Sequence, residues 1–242
     1  MDKIYMEIRS NNRIVDNVYA MTLAGDCRSI ENPGRFINIK TEGFFLRRPI
    51  SICTWTDESL TILYKVVGGG TGVLSQAVPG KKLDVIMPLG NGFDISKSGE
   101  KPLLIGGGIG TPPLLGLAEK LIEKGITPQV AMGFRSSDEV ILTNKFADLG
   151  ITPIIATEDG SLGAKGFITD SCKDLDYDYI FTCGPIPMLK SVYNLDGSGQ
   201  FSFEARMACG FGACMGCSIM TKAGPKRICK EGPILYKEEL PW

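Results

Sequence analysis

The sequence contains no histidine, although it is 242 residues long. This absence excludes Ser-His-Asp and Cys-His catalysis, zinc sites with imidazole ligands, Rieske centres and proton transfer by imidazole. An excess of charge of one sign is also missing, since 26 Lys and Arg residues stand against 27 Asp and Glu residues. A chain without a basic field is not expected to bind nucleic acid or an anionic membrane.

Long apolar runs are missing as well. The longest uncharged stretch, residues 102–118, is broken by glycines and prolines, and it is shorter than the roughly 20 residues that a spanning helix needs. The first residues carry charge too early for a secretory signal. We therefore expect a cytoplasmic protein whose eight cysteines are not a disulfide framework.

The composition is that of a globular protein, with 43% hydrophobic and 22% charged residues. Residues 1–98 hold short apolar runs bounded by turn residues, which predict a small antiparallel barrel or sandwich. Residues 99–200 alternate strands with helices, which predicts a parallel α/β sheet. Residues 201–242 form a cysteine-rich segment. The predicted strands are 18–23, 36–40, 51–56, 60–67, 83–87, 102–105, 129–134, 152–156, 179–182 and a short one from 200 onward, and the predicted helices are 113–124 and 186–193.

Four cysteines of the last segment have the spacing of a metal or cluster site. Cys209, Cys214, Cys217 and Cys229 follow the pattern C-x4-C-x2-C-x11-C, which opens like a plant-type 2Fe-2S site and adds a more distant fourth thiolate. The alternative is a structural zinc site, but such sites usually combine two short cysteine pairs. The residues between the ligands are small enough for the backbone to approach a cluster: Gly210, Gly212, Ala213 and Gly216.

A possible flavin motif lies in the strand-rich part. Arg48-Pro49-Ile50-Ser51 offers an arginine fork suited to a pyrophosphate and a hydroxyl close to it. Farther along, Leu63-Tyr64-Lys65 precedes a glycine run at residues 68–72 that includes Gly70 and Thr71 and predicts a phosphate-binding turn. Each feature alone is weak, because an Arg-Pro pair before a strand is usually only a turn.

A second glycine run lies between a predicted strand and a predicted helix. Gly108, Gly110 and Thr111 belong to it, and such a junction binds nucleotide phosphates through helix-terminal amides. The run is not the G-x-G-x-x-G fingerprint, because Thr111 replaces the third glycine, and no acidic residue ends the next strand. A later loop, Cys183-Gly184-Pro185, follows another strand of the same sheet. Cys183 either faces a nicotinamide or is a buried core thiol.

The order of these motifs resembles the ferredoxin–NADP reductase superfamily over residues 1–200. The tail E-x-R-M-x-C-G-x-G-x-C, which begins at Glu204, is similar to the electron-transfer subunits of class 1B dihydroorotate dehydrogenases. The resemblance implies an FAD-binding barrel at 1–98, an NAD-binding α/β domain at 99–200 and a 2Fe-2S segment at 201–242. By motif match, FAD would contact Arg48, Pro49, Ile50, Ser51, Leu63, Tyr64, Lys65, Gly70 and Thr71. NAD would contact Gly108, Gly110, Thr111, Cys183, Gly184 and Pro185. The cluster would be held by Cys209, Cys214, Cys217 and Cys229.

The resemblance also implies a partner and a reaction. Electrons would pass from the FMN of a dihydroorotate dehydrogenase catalytic subunit through the cluster and FAD to NAD⁺, in pyrimidine biosynthesis. The family forms a heterotetramer of two subunits of each kind, and no side chain of this chain need act as acid or base. One alternative is a diaphorase-type subunit of a hydrogenase or of a ferredoxin:NADP transhydrogenase. Another is a non-enzymatic binding module. The residues leave NAD and NADP open, because Arg135 could meet a 2′-phosphate.

Overall fold

The amino-terminal half of the chain is a closed antiparallel barrel. The computed structural model describes residues 1–242. The barrel elements are β1 (Asp2–Val15), β2 (Val18–Ala24), β3 (Phe36–Ile39), β4 (Arg48–Trp55), β5 (Ser59–Lys65), the short helix α1 (Gly69–Ser75) and β6 (Lys82–Leu89). The strands close in the order β1-β2-β5-β4-β3-β6. Residues of β3 alternate between the two faces, so Ile37 and Ile39 enter the barrel core while Phe36 joins the core beside the second domain.

The second half is built on a seven-stranded sheet. Its elements are β7 (Pro102–Gly107), α2 (Pro112–Glu123), β8 (Gln129–Phe134), α3 (Thr143–Asp148), β9 (Ile154–Thr157), β10 (Ala164–Lys165), β11 (Tyr179–Cys183), α4 (Ile186–Tyr193), β12 (Ser198–Ser202), β13 (Ser218–Thr221), β14 (Gly224–Arg227) and β15 (Ile234–Tyr236). The strand order is β10-β9-β8-β7-β11-β12-β15, and only β15 runs antiparallel to its neighbour. Strands β13 and β14 form a separate hairpin.

Two apolar layers cover this sheet. On one face α2 packs between the sheet and the barrel, where Gly116 lies against the Cys53 carbonyl and leaves no room for a Cβ. The other face is covered by α4 and by the cysteine-rich segment. Trp242 belongs to this second layer, with its ring 5.6 Å from Phe203 and 5.8 Å from Tyr193. The sequence had suggested no role for Trp242, and the structure shows that it packs the segment against the sheet.

The fold class predicted from the sequence is confirmed, and the elements are mostly where the patterns put them. The ranges 129–134 and 186–193 match β8 and α4. The patterns missed β1, in which only Met6 and Ile8 are buried, because a strand with so few buried positions shows little alternation. The prediction of a turn at residues 68–72 is wrong, because the helix α1 begins within this range, at Gly69. No helix of the chain is long and apolar enough to cross a membrane.

Candidate functional site

Two adjacent arginines lie at the start of β4, and the structure separates their roles. Arg47 donates to the Asp84 carboxylate at 2.7 Å and to the Asp84 carbonyl at 2.9 Å, so it is bound within the barrel. Arg48 donates only to backbone carbonyls, such as that of Leu46 at 2.8 Å, and lies 4.8 Å from the centre of the Phe44 ring. Its charge has no carboxylate partner, so Arg48 is the arginine of this pair that is free to bind an anion.

The start of α1 lies directly against Arg48. A Cβ on Gly70 would overlap the Arg48 guanidinium, so a side chain at this position would displace Arg48 from its present place. The Thr71 hydroxyl accepts from the amide of Val67 at 3.0 Å and donates to the Gly68 carbonyl at 3.1 Å, which fixes the first turn. The arginine and glycine motifs, separate in sequence, therefore form one surface.

The rest of the predicted flavin motif is divided between the interior and the cleft. Pro49, Ile50 and Ser51 are half-buried along β4. The Tyr64 hydroxyl donates to Asn11 at 2.8 Å inside the barrel, and burial raises the pKa of Tyr64 to about 12. The side chain of Tyr64 therefore belongs to the barrel core. Lys65, the next residue, points the other way.

The two loops predicted to receive the nucleotide meet at the carboxyl edge of the sheet. Gly110 packs so closely on the Cys183 carbonyl that a side chain would collide with it, and Gly108 adopts a φ of +51°. Thr111 and Thr182, one on each side of this contact, are fully buried and their hydroxyl oxygens have no hydrogen-bond partner. Buried hydroxyls without partners are uncommon, and these two lie where the two predicted nucleotide loops meet.

A cleft of about 470 Å³ opens at this edge. Gly108 and Pro185 of the predicted set line it, whereas Gly110, Thr111, Cys183 and Gly184 lie behind its wall. Lys65 enters the cleft from the barrel, with its Nζ 3.0 Å from a carboxylate oxygen of Glu139. A residue of the flavin motif and residues of both nucleotide loops thus share one cavity. Further lining residues are Arg135, Glu158, Phe167, Met188 and Glu204.

Two of the residues that line the cleft, Glu158 and Glu204, are acids that the sequence patterns did not predict at this site. Glu158 follows β9 directly and is adjacent to the end of β8, since its amide donates to the Phe134 carbonyl at 3.0 Å. The rule that ligands gather beyond the carboxyl ends of parallel strands could have found it. Glu204 is exposed and lines the cleft. The surrounding protein displaces water from its carboxyl group and so raises the pKa of Glu204. Only the tertiary fold brings Glu204 there, because it follows β12 at a distant point of the chain.

Cys183 is closed off from the cleft. It is 3% exposed and belongs to the apolar core, and burial raises its pKa to about 12. The thiol is therefore neutral at physiological pH. This environment matches the core-thiol alternative, and a contact between Cys183 and a nicotinamide stays a prediction.

The β13–β14 hairpin brings together Cys217 and Cys229, the two cysteines on either side of the longest gap in the predicted ligand set. Ser218 pairs with Arg227 at the open end of the hairpin, so the residues flanking it meet. The Cys229 amide donates to the Cys217 sulfur at 3.4 Å. Both of these cysteines are buried, with exposures of 4% for Cys217 and 2% for Cys229. The eleven residues between Cys217 and Cys229 therefore consist mainly of this one hairpin.

The other two cysteines form a second pair nearer the surface. The Ala213 amide donates to the Cys209 sulfur at 3.3 Å. Burial opposes ionisation of Cys209, but hydrogen bonds from the amides of Phe211 and Cys214 and from the Cys214 thiol lower its pKa to about 6. Burial and the neighbouring Cys217 raise the pKa of Cys229 to about 12. A bound cation would be needed to keep all four sulfurs as thiolates.

The pairing fits a two-iron cluster better than zinc. A cluster with two irons spreads its four thiolate ligands over two centres, and the arrangement of Cys209 with Cys214 and of Cys217 with Cys229 matches that requirement. The four sulfurs, with amides directed at two of them, therefore fit a 2Fe-2S group.

The basic residues beside the cysteines are partly neutralised. Arg227 forms an ion pair with Glu231, lowers the pKa of that carboxyl to about 2, and donates to the Gly212 carbonyl at 2.6 Å. Lys226 forms an ion pair with Glu239. Arg227 therefore holds the loop between Cys209 and Cys217 against the hairpin as well as supplying charge.

The chain is similar to proteins of known function along nearly its whole length. Residues 204–241 match the family model described as the iron-sulfur cluster binding domain of dihydroorotate dehydrogenase B. The chain is 43% identical to the dihydroorotate dehydrogenase B (NAD(+)) electron transfer subunit of Bacillus pumilus, over 99% of this chain and 98% of the relative. It is 39% identical to the subunit of the same name from Bacillus mycoides, over 97% and 96% of the two chains.

Solved structures share the fold. An NADH-dependent reduced ferredoxin-NADP oxidoreductase structure is 27% identical, with a TM-score of 0.88, over 98% of this chain and 90% of the other. Phthalate dioxygenase reductase is 15% identical, with a TM-score of 0.68, over 91% of this chain and 87% of the other. The second likeness concerns the fold alone.

Proposed function

The chain belongs to the family of electron transfer subunits of dihydroorotate dehydrogenase B, and from this premise we propose how its residues move electrons. It is an oxidoreductase subunit that uses FAD, a 2Fe-2S cluster and NAD in pyrimidine biosynthesis. In our proposal Arg48 and the start of α1 hold the FAD pyrophosphate. The loops around Gly108 and Pro185 receive NAD, and the four tail cysteines hold the cluster.

The shared cleft is the observation that supports this arrangement most directly. Lys65 from the barrel and Gly108 and Pro185 from the α/β domain line the same 470 Å³ cavity. A flavin supplies the exchange between one-electron transfer and two-electron hydride transfer. The task of the protein is to orient the nucleotide against the flavin in this cavity and to exclude water. No residue needs to relay a proton by imidazole, in keeping with the absence of histidine.

We further propose that the surface around Cys214 docks an FMN-containing catalytic subunit. Cys214 is exposed, and large apolar side chains occur on the same segment, with exposures of 42% for Phe211, 53% for Met215 and 64% for Met220. Apolar surface of this kind is typical of protein interfaces. Docking there would place the partner beside the most accessible ligand of the cluster. Two subunits of each kind would form the heterotetramer.

The diaphorase alternative has less support. Its structural counterpart is 27% identical, whereas the electron transfer subunits reach 43% over nearly the full length of both chains. The predicted cytoplasmic location stays a prediction, to which the eight free cysteines add support.

The test of the relay is a visible spectrum of the anaerobically purified chain, with iron, sulfide and flavin quantified. We expect two irons, two sulfides and one FAD per chain, by the cofactor stoichiometry of a single cluster and a single flavin site. Co-expression with an FMN protein should give a complex whose flavin and cluster absorbance bleaches with dihydroorotate. Zinc without flavin would contradict the proposal. Cofactors that respond to NADH but not to dihydroorotate in that complex would favour the diaphorase alternative.

The docking surface has its own test. The substitution Met220→Asp places a charge on the exposed apolar surface and should weaken assembly with the catalytic subunit in size-exclusion chromatography. Val78→Asp, at a 63% exposed residue of the turn after α1, is the matched control. Equal assembly of the two variants would show that the partner binds elsewhere.

A further inference from the structure

Asn38 is the residue of the barrel that reaches the cluster loop by a hydrogen bond. Its side chain is 1% exposed, and its Nδ2 donates to the carbonyl oxygen of Cys209 at 3.3 Å, across 171 residues of sequence. The carbonyl acceptor decides which end of the amide is the donor. The neighbouring Gly210 has a φ of +79°, and a side chain there would overlap the Asn38 amide. The first cluster ligand is therefore fitted to this one asparagine.

The backbone of Asn38 belongs to the flavin side of the molecule. Asn38 pairs with Pro49 of β4, so it lies beside the strand that carries the Arg48–Ser51 motif. Its carbonyl accepts from Arg47 at 3.3 Å, and Arg47 is bound in turn to Asp84. One residue thus connects the strand of the flavin motif to the backbone of a cluster ligand through two hydrogen-bonded steps.

The other end of the Asn38 side chain is unpaired. Its Oδ1 is buried and has no hydrogen-bond donor, and Thr41, shortly after β3, has a buried hydroxyl in the same condition. An unsatisfied buried acceptor destabilises a fold, and a leucine of similar volume would avoid that penalty. Such penalties are concentrated at functional sites. The asparagine is therefore poorly explained by stability.

We propose that Asn38 is a positioning residue, which ties the first cluster ligand to the flavin-binding strand and raises the reduction potential of the cluster. The inference rests on the proposed function. The Asn38 N–H turns the positive end of its dipole toward the backbone of a ligand, and positive potential there favours the reduced cluster, which carries one more negative charge. The fixed Cys209 backbone also keeps the distance between the two cofactor sites constant, and this distance sets the rate of electron exchange.

The substitution Asn38→Leu removes the donor and keeps the volume. We expect the thermal stability of the variant to be unchanged or higher, and its iron, sulfide and FAD contents to equal those of the wild type. The cluster potential in an EPR-monitored redox titration should fall, and after mixing with NADH the cluster should be reduced several-fold more slowly. Asn38→Asp also lacks the donor and adds a negative charge, so its potential should be lower still.

Asn91 provides a matched control, because it is also a barrel asparagine bound to the tail. Its Nδ2 donates to the Ile234 carbonyl at 2.7 Å and to the Glu231 carbonyl at 3.1 Å, and its Oδ1 accepts from the Ile234 amide at 3.0 Å, so it binds the segment after the fourth cysteine and not the backbone of a cysteine. Asn91→Leu should lower stability and leave the cluster potential and EPR spectrum unchanged. Wild-type potentials and rates in the Asn38 variants would overturn the inference about Asn38, as would an equal shift in Asn91→Leu. A wild-type chain without iron and sulfide would instead contradict the proposed function itself.

Discussion

The ammonium group of Lys65 lies 3.0 Å from the carboxylate of Glu139, so a side chain of the barrel is joined to the α/β domain inside the cleft. Both side chains are 34% exposed, and ion pairs of such exposure add little to stability. The pair is better placed to control access to the cleft and the position of Lys65, which the family resemblance predicts to contact FAD.

The first prediction separates the two partners of this pair. Lys65→Met should weaken FAD retention and slow NADH-dependent dye reduction, because the cation at the flavin side of the cleft is lost. Glu139→Gln should leave FAD bound, since it frees Lys65 without removing it. The free energy of unfolding should change by less than about 1 kcal/mol in both variants. Flavin content after gel filtration is the measurement, and equal loss from both variants would refute a role for Lys65 in FAD binding.

The second prediction concerns the arginine pair at β4. Arg48→Ala should release FAD while the apoprotein keeps its melting temperature, because Arg48 has no carboxylate partner. Arg47→Ala should instead lower the melting temperature, because it leaves the largely enclosed Asp84 carboxylate with only the more distant Lys3 ammonium, at 3.4 Å. Flavin content and thermal unfolding of both variants are measured together. The reverse pattern would assign the pyrophosphate to Arg47.

The third prediction is a pH dependence that follows from the same ion pair. Burial of Asp84 works against its ionisation, but the hydrogen bond and charge of Arg47, aided by Lys3, lower its pKa below the ordinary value. A lowered pKa in the folded state contributes stability above the unfolded pKa, and this contribution disappears as the pH falls through the folded value. Asp84→Asn should therefore cost about 2 kcal/mol at neutral pH. The difference from wild type should shrink below about pH 4, as measured by urea unfolding across pH; a difference independent of pH would contradict the assigned charge interaction.

The fourth prediction concerns the choice between NAD and NADP. Glu158 lines the cleft beside Arg135, and a carboxylate there would accept from a ribose hydroxyl and repel a 2′-phosphate. Glu158→Gln should raise kcat/KM for NADPH relative to NADH by about tenfold, which corresponds to 1.4 kcal/mol. Asp159→Asn is the control, because the Asp159 carboxylate already accepts from the Ser161 amide at 2.9 Å. An unchanged preference in Glu158→Gln would mean that specificity is set by other groups.

The presence of a 2Fe-2S cluster could be predicted from sequence because the cysteines proposed as its ligands are close in the chain. The spacing of Cys209, Cys214 and Cys217 lies within one loop, and small residues between them are visible without a structure. The β–α alternation of the second half could be predicted for the same reason, since hydrophobic periodicity is a local property. The family resemblance added the flavin, the nucleotide and the partner.

The sequence by itself therefore determined the kinds of group this protein offers to ligands: four clustered cysteines, an arginine fork, glycine-rich loops and no imidazole. Only the tertiary structure decided which of these side chains are taken up by internal contacts and which stay available for binding. It assigned Arg47 to Asp84 and left Arg48 free, it turned Tyr64 into the core and Lys65 into the cleft, and it brought Asn38 to Cys209. These decisions depend on contacts between residues far apart in sequence, and such contacts are fixed by strand pairing and burial rather than by any local pattern.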